Sequence, residues 1–331
     1  MQILFYSTQA YDRKYFESAN AAFGFQFRFL DFCLNEENAA LVKQETVICI
    51  FVNDVVNAAT INILKTKGVK LIALRCAGFN NVDLEAAALA GIQVVRVPAY
   101  SPHAVAEHAV ALLLTLNRHT HRAYNRVRDY NFTLNGLEGY DLYQKTVGVV
   151  GTGHIGAVFA NIMRGFGCRV LAYDVARNAA LEQAGVEYVS LEKLWAESDV
   201  ISLHCPLNSA TDHIINADSI AKMKPGVTII NTSRGALVDT KAVMDGLKSL
   251  QIGALGIDVY EQEEQLFFQD LSGSIIDDEV IKRLMTFPNV LITAHQGFFT
   301  KEALTKIAGV TLSNIRSFEK EELLVNKVEA K

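Results

Sequence analysis

The chain has 331 residues, of which half are hydrophobic and a fifth are charged, and its formal net charge is −5. This length and balance predict a globular protein with two domains of ordinary size. The modest acidity gives no electrostatic reason to expect a nucleic-acid or anionic-membrane partner.

The first residues are typical of a strand and lack the basic start and long apolar stretch of a signal peptide. The most hydrophobic segment, residues 104–116, is too short to span a bilayer. Five widely spaced cysteines include no Cys-x-x-Cys pair, which argues against a disulfide framework and a structural zinc site. These features predict a soluble protein of the cytoplasm without a membrane partner.

Short apolar runs alternate with helix-like stretches over the first hundred residues. Helices are predicted at 11–23 and 58–65. The predicted strands are residues 3–6, 25–29, 47–52, 70–74 and 93–97. This alternation favours a parallel sheet that is covered by helices on both faces.

A long helix is predicted next, at 104–123, with Ser101 as its N-cap and Pro102 at its first position. Its first half is apolar nearly all round, so we expect it to be buried between domains or in a subunit interface. A polar stretch then leads to a second set of predicted strands at 147–150, 169–173, 200–204, 227–231, 254–258 and 290–293. The expected fold is therefore α/β, with two doubly wound parallel-sheet domains.

The second block opens on three glycines, Gly151, Gly153 and Gly156, with the spacing of a dinucleotide fingerprint. Alone, this spacing also fits a turn in an ordinary α/β unit. Here, however, a strand precedes the glycines, a helical stretch follows, and a second strand ends in Asp174, 18 residues past Gly156. A carboxylate at that distance binds the ribose hydroxyls and repels a 2′-phosphate, so the sequence predicts NAD as the cofactor.

Three side chains that suit the reduction of a 2-keto acid follow predicted strands of the second block. They are Arg234, Glu263 and His295. Arginine can hold a carboxylate in a bidentate manner, and histidine can donate a proton near neutrality with help from a neighbouring carboxylate. Each residue alone could be a solvated loop side chain, but their shared position past strand ends predicts an active site.

Several motifs resemble those of the D-2-hydroxyacid dehydrogenases. The runs that carry the resemblance are GTGHIG at 151–156, NTSRGALVD at 231–239 and DVYE at 258–261. Three more, RCAGFNNVD at 75–83, VPAYSP at 97–102 and HCPL at 204–207, are similar to the fermentative D-lactate dehydrogenases. The resemblance covers essentially the whole chain. It implies reversible, NADH-dependent reduction of pyruvate to D-lactate, and the handedness of the product rests on it alone.

The resemblance also implies a role for individual residues. Arg234 would bind and polarise the substrate, His295 would donate the proton, and Glu263 would orient and tune His295. The implied substrate contacts are Phe51, the backbone N–H groups of Ala77 and Gly78, Tyr100, Arg234 and Phe298. The implied cofactor contacts are Gly151, Gly153, His154, Ile155, Gly156, Asp174, Cys205, Pro206, Thr211, Thr232, Ser233 and Asp258.

The domain plan implied by the resemblance is discontinuous. Residues 1–100 and about 298–331 would form a flavodoxin-like substrate domain, and residues 101–297 a Rossmann NAD-binding domain. The active site would lie in the cleft between them. The family further implies a homodimer or a homotetramer.

Alternative functions stay open at this point. Some lactate-specific relatives carry tyrosine where this chain has Phe298, so a branched-chain keto acid, glyoxylate or hydroxypyruvate could be the substrate. A non-catalytic, NAD-sensing co-regulator is disfavoured because the three catalytic candidates are all present. No metal site is expected, because His119 and His121 are two residues apart and do not share a helix face.

Overall fold

A computed structural model describes residues 1–263 and 266–329. The chain divides into two compact units, Met1–Ser101 with Phe299–Lys331 (unit 1) and Pro102–Phe298 (unit 2). Each unit is built on one parallel β-sheet, which confirms the predicted fold class. In the part of the chain that the model covers, every helix is too short or too polar to cross a membrane.

Unit 1 contains a five-stranded parallel sheet in the order β2-β1-β3-β4-β5. Its strands are β1 (Gln2–Phe5), β2 (Gln26–Phe29), β3 (Val47–Ile50), β4 (Leu71–Leu74) and β5 (Gln93–Val95). Two of its interior strands, β3 and β4, are buried along their whole length, as their continuous apolar runs predict. All five strands were predicted from the sequence, within two residues at each end.

Helices connect these strands. They are α1 (Ala10–Asn20), α2 (Ala58–Thr66) and α3 (Leu84–Ala90), with a 3-10 turn at Ala39–Leu41. Local capping sets their limits: Asn57 and Asp83 accept hydrogen bonds from the first turns of α2 and α3, and α3 ends at Gly91 with φ of 72°. The C-terminal helix α12 (Lys301–Glu319) returns to this unit and packs against α1 and β4.

Unit 2 contains a seven-stranded parallel sheet in the order β12-β11-β10-β9-β6-β7-β8. Its strands are β6 (Thr146–Val150), β7 (Arg169–Tyr173), β8 (Glu187–Tyr188), β9 (Val200–Leu203), β10 (Val227–Asn231), β11 (Ile252–Ile257) and β12 (Val290–Ile292). The strand order reverses between β6 and β9, so this unit is doubly wound, and ligands of such sheets bind at that reversal. Side chains alternate between two hydrophobic clusters, with Ile229 in one and Ile230 in the other.

The helices of unit 2 cover both faces of its sheet. They are α4 (Pro102–Arg118), α5 (Thr120–Arg128), α6 (His154–Gly165), α7 (Ala179–Gln183), α8 (Leu191–Glu197), α9 (Ala217–Ala221), α10 (Thr240–Lys248) and α11 (Glu279–Met285). A 3-10 turn lies at Gly235–Leu237.

One expectation about the long helix was wrong. The predicted helix at 104–123 is two helices, because His119 adopts a left-handed conformation with φ of 50° between α4 and α5. The apolar face of α4 packs against α6, β10 and β11 of its own unit. Its expected place between domains or in a subunit interface stays a prediction.

Candidate active site

The three catalytic candidates lie at one edge of the unit 2 sheet. Arg234 follows β10, Glu263 follows β11, and His295 follows β12. These strands are neighbours in the sheet, and parallel strands all end at the same edge. The order of the strands therefore places these three side chains at one edge of the sheet, as the sequence predicted.

His295 and Glu263 form a close pair. The Nδ1 atom of His295 lies 2.7 Å from Oε1 of Glu263, and the two side chains are 17% and 20% exposed. The other carboxylate oxygen of Glu263 accepts a hydrogen bond from the backbone N–H of Tyr260 at 2.9 Å. With an ionised Glu263, Nδ1 carries the proton that it shares with the carboxylate, and Nε2 is the ring atom that can face a substrate.

The backbone of His295 is held in a left-handed conformation, with φ of 51°. Asp258 stabilises this turn: its carbonyl accepts from the His295 N–H at 2.7 Å, and its carboxylate accepts from the N–H groups of Gln296 and Gly297 at 2.9 and 2.7 Å. A non-glycine residue rarely adopts this conformation unless its surroundings impose it. Asp258 thus fixes the loop that carries the histidine.

Asp258 is itself buried and held by His108, a residue of α4. The Nε2 atom of His108 lies 3.3 Å from Oδ1 of Asp258 and 3.0 Å from the hydroxyl of Thr293, which in turn donates to Asp258 at 2.5 Å. Burial raises the pKa of Asp258, but the hydrogen bonds from His108 and Thr293 outweigh it and hold that pKa below its usual range.

The loop of Arg234 is fixed by three contacts. The side-chain amide of Asn231 donates to the Arg234 carbonyl at 2.8 Å and its oxygen accepts from the N–H of Ser233 at 3.0 Å. Gly235 packs so closely on the backbone of Tyr260 that a Cβ would lie 2.1 Å from its carbonyl carbon. The arginine loop and the loop that leads to Glu263 are therefore built against one another.

The glycine fingerprint follows β6 at the reversal point of the sheet. A Cβ at Gly151, where φ is 93°, would lie 2.5 Å from the backbone nitrogen of Cys205, and one at Gly156 would lie 1.9 Å from the Gly151 carbonyl oxygen. Gly153 precedes α6, and a Cβ there would meet nothing within 4 Å. His154 and Ile155 belong to the first turn of α6, where backbone N–H groups have no partner within the helix.

Asp174 directly follows β7 and supports the fingerprint turn. One carboxylate oxygen accepts from the N–H of Thr152 at 2.6 Å, and the other accepts from the N–H of Ala176 at 2.9 Å. The hydroxyl of Tyr188 donates to the hydroxyl of Thr152 at 2.7 Å, which extends the network to β8.

A scan against protein-family models matches residues 110–297 to the model described as D-isomer specific 2-hydroxyacid dehydrogenase, NAD binding domain. The chain belongs to this family. Its proteins are dehydrogenases that use NAD, which confirms the predicted family, enzyme class and cofactor.

Similar proteins span the full length of this dehydrogenase. It is 55% identical to a Haemophilus influenzae protein named 2-hydroxyacid dehydrogenase homolog, over 95% of each chain. It is 52% identical to D-lactate dehydrogenase of Escherichia coli, over 99% of this chain and 100% of that one. A solved structure described as the pyruvate reductase of Chlamydomonas reinhardtii superimposes with a TM-score of 0.93 at 46% identity, over 98% of each chain.

The residues of this dehydrogenase fit NAD at the fingerprint. The open space at Gly153 beside the N-terminus of α6 suits a pyrophosphate, and the contacts at Gly151 and Gly156 leave no room for a side chain. Asp174 provides a carboxylate at the end of β7, where a ribose would be bound.

Further predicted cofactor positions in the dehydrogenase lie beside the fingerprint, after β9 and β10. The hydroxyl of Ser233 donates to the carbonyl of Cys205 at 2.8 Å, and that of Thr211 donates to the carbonyl of Pro206 at 2.6 Å. Burial raises the pKa of the Cys205 thiol to about 11, which does not suit a nucleophile. The hydroxyl of Thr232 is buried without a hydrogen-bond partner among residues 1–263 and 266–329.

The predicted substrate contacts of unit 1 also follow strand ends. Phe51 follows β3, Ala77 and Gly78 follow β4, and Tyr100 lies beyond β5. The N–H of Phe51 donates to the buried carboxylate of Asp54 at 2.6 Å. Phe298, which was predicted near the substrate, is the last residue of unit 2 and is buried.

Sequence reasoning missed two residues that shape the site of this dehydrogenase. His108 contacts Thr293, a residue 185 positions away, and no local pattern marks such a contact. Asn231 was assigned to a strand without a role. Its Asn-x-x-Arg spacing was the available signal, because an amide at a strand end often fixes the following turn.

Proposed function

We propose that this enzyme reduces pyruvate to D-lactate with NADH and also catalyses the reverse reaction. The observation that carries the proposal is the 2.7 Å pair of His295 and Glu263 at the sheet edge that also holds Arg234. The names of the similar proteins, D-lactate dehydrogenase and pyruvate reductase, support the choice of substrate.

Arg234 binds the substrate carboxylate and polarises the ketone, since a guanidinium offers paired donors to an anion. NADH, when bound, would provide the hydride that reduces the ketone carbon. His295 donates a proton from Nε2 to the ketone oxygen as negative charge develops there, a role typically worth about 10² to 10⁴ in rate. Glu263 holds Nδ1, and its negative charge stabilises the imidazolium that donates the proton.

Unit 2 is proposed to be the NAD-binding domain and unit 1 the substrate domain. The match of the NAD-binding family model to residues 110–297 supports the first assignment. In unit 1, the N–H groups of Ala77 and Gly78 would hold the substrate carboxylate, with Phe51 and Tyr100 against the rest of the molecule.

A second candidate substrate is another small 2-keto acid. Phe51 and Phe298 are both apolar and buried, so neither offers a hydroxyl to the substrate. An apolar side chain at either position would suit the side chain of a branched-chain keto acid better than that of hydroxypyruvate. The co-regulator alternative is not proposed, because the chain belongs to a family of dehydrogenases.

The enzyme is proposed to be a homodimer or a homotetramer. The segment from α5 to residue 143 carries exposed aromatic and aliphatic side chains, which are Tyr124, Val127, Tyr130, Phe132, Leu134 and Tyr143. Apolar patches of this kind usually mark protein–protein contacts. A second copy of the chain is the proposed partner, and light scattering of the purified protein would give its mass.

Cytoplasmic location and a role in fermentation are also proposed. None of the five cysteines, which are Cys33, Cys49, Cys76, Cys168 and Cys205, forms a disulfide within the described part of the chain, which suits a reducing compartment. Reduction of pyruvate would return NADH to NAD⁺.

A panel of 2-keto acids tests the proposed reaction. NADH oxidation is followed with pyruvate, glyoxylate, hydroxypyruvate and a branched-chain keto acid, and the product's handedness is measured with an enantiomer-specific assay. Fast turnover of pyruvate to D-lactate alone supports the proposal. Faster turnover of a bulkier acid changes the substrate but keeps the residue roles, and L-lactate as product contradicts the proposal.

A further inference from the structure

The segment 76–81 of unit 1 contains Ala77 and Gly78, and its two ends are held by backbone and amide contacts. The carbonyl of Cys76 accepts from the N–H of Val97 at 3.1 Å. At the other end, the side-chain amide of Asn81 donates to the carbonyls of Phe51 and Asp54, both at 2.8 Å. Within the segment the thiol of Cys76 donates to the carbonyl of Gly78 at 3.3 Å, and the carbonyl of Ala77 is held by a residue from outside the segment.

Arg96 provides this support. Its Nη1 atom donates to the carbonyl of Ala77 at 2.8 Å, and its guanidinium carbon lies 4.9 Å from the ring centroid of Phe79. The hydrogen bond fixes the peptide unit between Ala77 and Gly78, and with it the direction of the Gly78 N–H. The stacking contact fixes the next residue along the segment.

The charge of Arg96 is not neutralised within the part of the chain that the structure describes, because no carboxylate there forms an ion pair with it. A buried or half-buried arginine usually has an acidic partner. Here the guanidinium instead places a positive charge next to the two N–H groups that are proposed to receive a carboxylate.

The C-terminal part of the chain holds the backbone of Arg96. The side-chain amide of Asn314, a buried residue of α12, donates to the Arg96 carbonyl at 2.9 Å. The carbonyl of Asn326 accepts from the Arg96 N–H at 3.1 Å, and the Asn326 amide donates to Oδ1 of Asn314 at 2.8 Å. Because both the N–H and the C=O of Arg96 are hydrogen-bonded, the point from which its side chain extends is fixed.

We propose that Arg96 is a positioning residue for the substrate carboxylate, which holds the Ala77–Gly78 peptide and adds positive charge beside it. The inference rests on the proposed function, because it assumes that a 2-keto acid binds to these N–H groups. Asn314 acts through Arg96, so its loss has the same effect to a smaller degree.

The test compares Arg96→Met, Arg96→Lys and Asn314→Ala with the wild type. Arg96→Met removes the charge and the hydrogen bond but keeps an apolar contact with Phe79. Arg13→Met is the matched control, because Arg13 also lies over a ring of unit 1, that of Phe29 at 4.6 Å, and is exposed. Initial rates give kcat and KM for pyruvate, and fluorescence titration gives the Kd for NADH.

Arg96→Met is expected to raise the KM for pyruvate by about tenfold or more, as loss of a hydrogen bond from a charged group predicts, with a smaller change in kcat. The Kd for NADH stays at the wild-type value. Arg96→Lys is expected to raise the KM for pyruvate less than Arg96→Met does, because it keeps the positive charge. Asn314→Ala also raises this KM less, and Arg13→Met leaves it unchanged. An unchanged KM in Arg96→Met, or an equal rise in Arg13→Met, overturns the proposal.

Hydrogen exchange of the 76–81 segment separates this inference from the proposed function. Arg96→Met is expected to speed exchange at Ala77 and Gly78 while the exchange of β3 and β4 stays slow. This readout needs no substrate. If the wild type reduces no 2-keto acid, the proposed function fails, and unchanged exchange in Arg96→Met would then also reject the positioning role.

Discussion

His108 of α4 and Asp258, which directly follows β11, lie with Nε2 3.3 Å from Oδ1, and this contact supports the loop of the proposed proton donor. The carboxylate of Asp258 accepts the N–H groups of Gln296 and Gly297, directly after His295. A residue of α4 therefore controls the position of a histidine with which it has no hydrogen bond among the described residues.

Replacing His108 with alanine is expected to lower kcat by about 10- to 100-fold, because small displacements of a catalytic group cost rates of this order. NADH affinity should change little. The exposed His103 of the same helix is the control, as His103→Ala. Equal kcat values for His108→Ala and wild type would show that Asp258 holds the loop without help.

The same variant should alter acid stability. The pKa of Asp258 lies below its usual range, so its ionised form stabilises the fold above the unfolded value of about 3.9, and this is lost as pH falls through the folded pKa. Without His108 the carboxylate loses a donor that lowers its pKa. Acid unfolding followed by circular dichroism should therefore begin at a higher pH in His108→Ala than in the wild type. Acid unfolding of both proteins at the same pH would contradict this prediction.

Glu263→Gln is expected to lower kcat for pyruvate by about 10² or more, because a neutral amide cannot stabilise the imidazolium form of His295. The substitution keeps the shape of the side chain and leaves NADH binding intact. Glu261→Gln is the control, because Glu261 pairs with His213 rather than with His295. Steady-state kinetics give kcat for both variants. If kcat of Glu263→Gln is similar to that of Glu261→Gln, Glu263 has a structural role only.

The pair of His213 and Glu261 predicts a pH-dependent contribution to stability. The hydrogen bond that His213 donates to Glu261 at 2.7 Å raises the pKa of His213. A raised folded pKa stabilises the fold fully below the unfolded value of about 6.5, and the effect disappears as pH rises through the folded pKa. Since His213 is 42% exposed, we expect about 0.2–1 kcal/mol at most. Thermal unfolding should show His213→Gln to be less stable than the wild type at pH 5.5 and equally stable at pH 9. An equal loss of stability at both pH values would show that the titration of His213 plays no part.

The sequence predicted every described strand except β8, and it grouped the catalytic candidates, because both depend on short patterns. Continuous apolar runs locate buried strands, and parallel strands bring the residues after them to one edge, so Arg234, Glu263 and His295 could be grouped before their distances were known. The two-residue strand β8 is too short to leave such a pattern.

Long-range contacts and single backbone conformations were not predictable. The contact of His108 with Asp258 depends on how α4 packs on the sheet, which no local spacing encodes. The helix break at His119 arises from one left-handed residue inside an otherwise helical pattern. Periodicity is an average over many residues and does not report a single dihedral angle.

Gly153 offers a test of the cofactor cradle that separates binding from folding. Its φ of −62° is accessible to any residue, and a Cβ there would meet nothing within 4 Å. Gly153→Ala should therefore fold with a wild-type melting temperature. The new methyl group would lie where a pyrophosphate must approach the N-terminus of α6, so the Kd for NADH should rise about tenfold or more, the result of losing about 1.4 kcal/mol.

Gly165→Ala is the matched control for this prediction, because Gly165 belongs to the same helix and also has nothing within 4 Å of a built Cβ. Its NADH affinity should equal that of the wild type. Gly156→Ala should behave differently from both and lose stability, since its Cβ would lie 1.9 Å from the Gly151 carbonyl oxygen. Calorimetry of the wild type and the three variants, with and without NADH, measures the melting temperature and the Kd for NADH. A wild-type Kd in Gly153→Ala would mean that the pyrophosphate does not pass over this glycine, and the cradle would have to be placed elsewhere on the sheet edge.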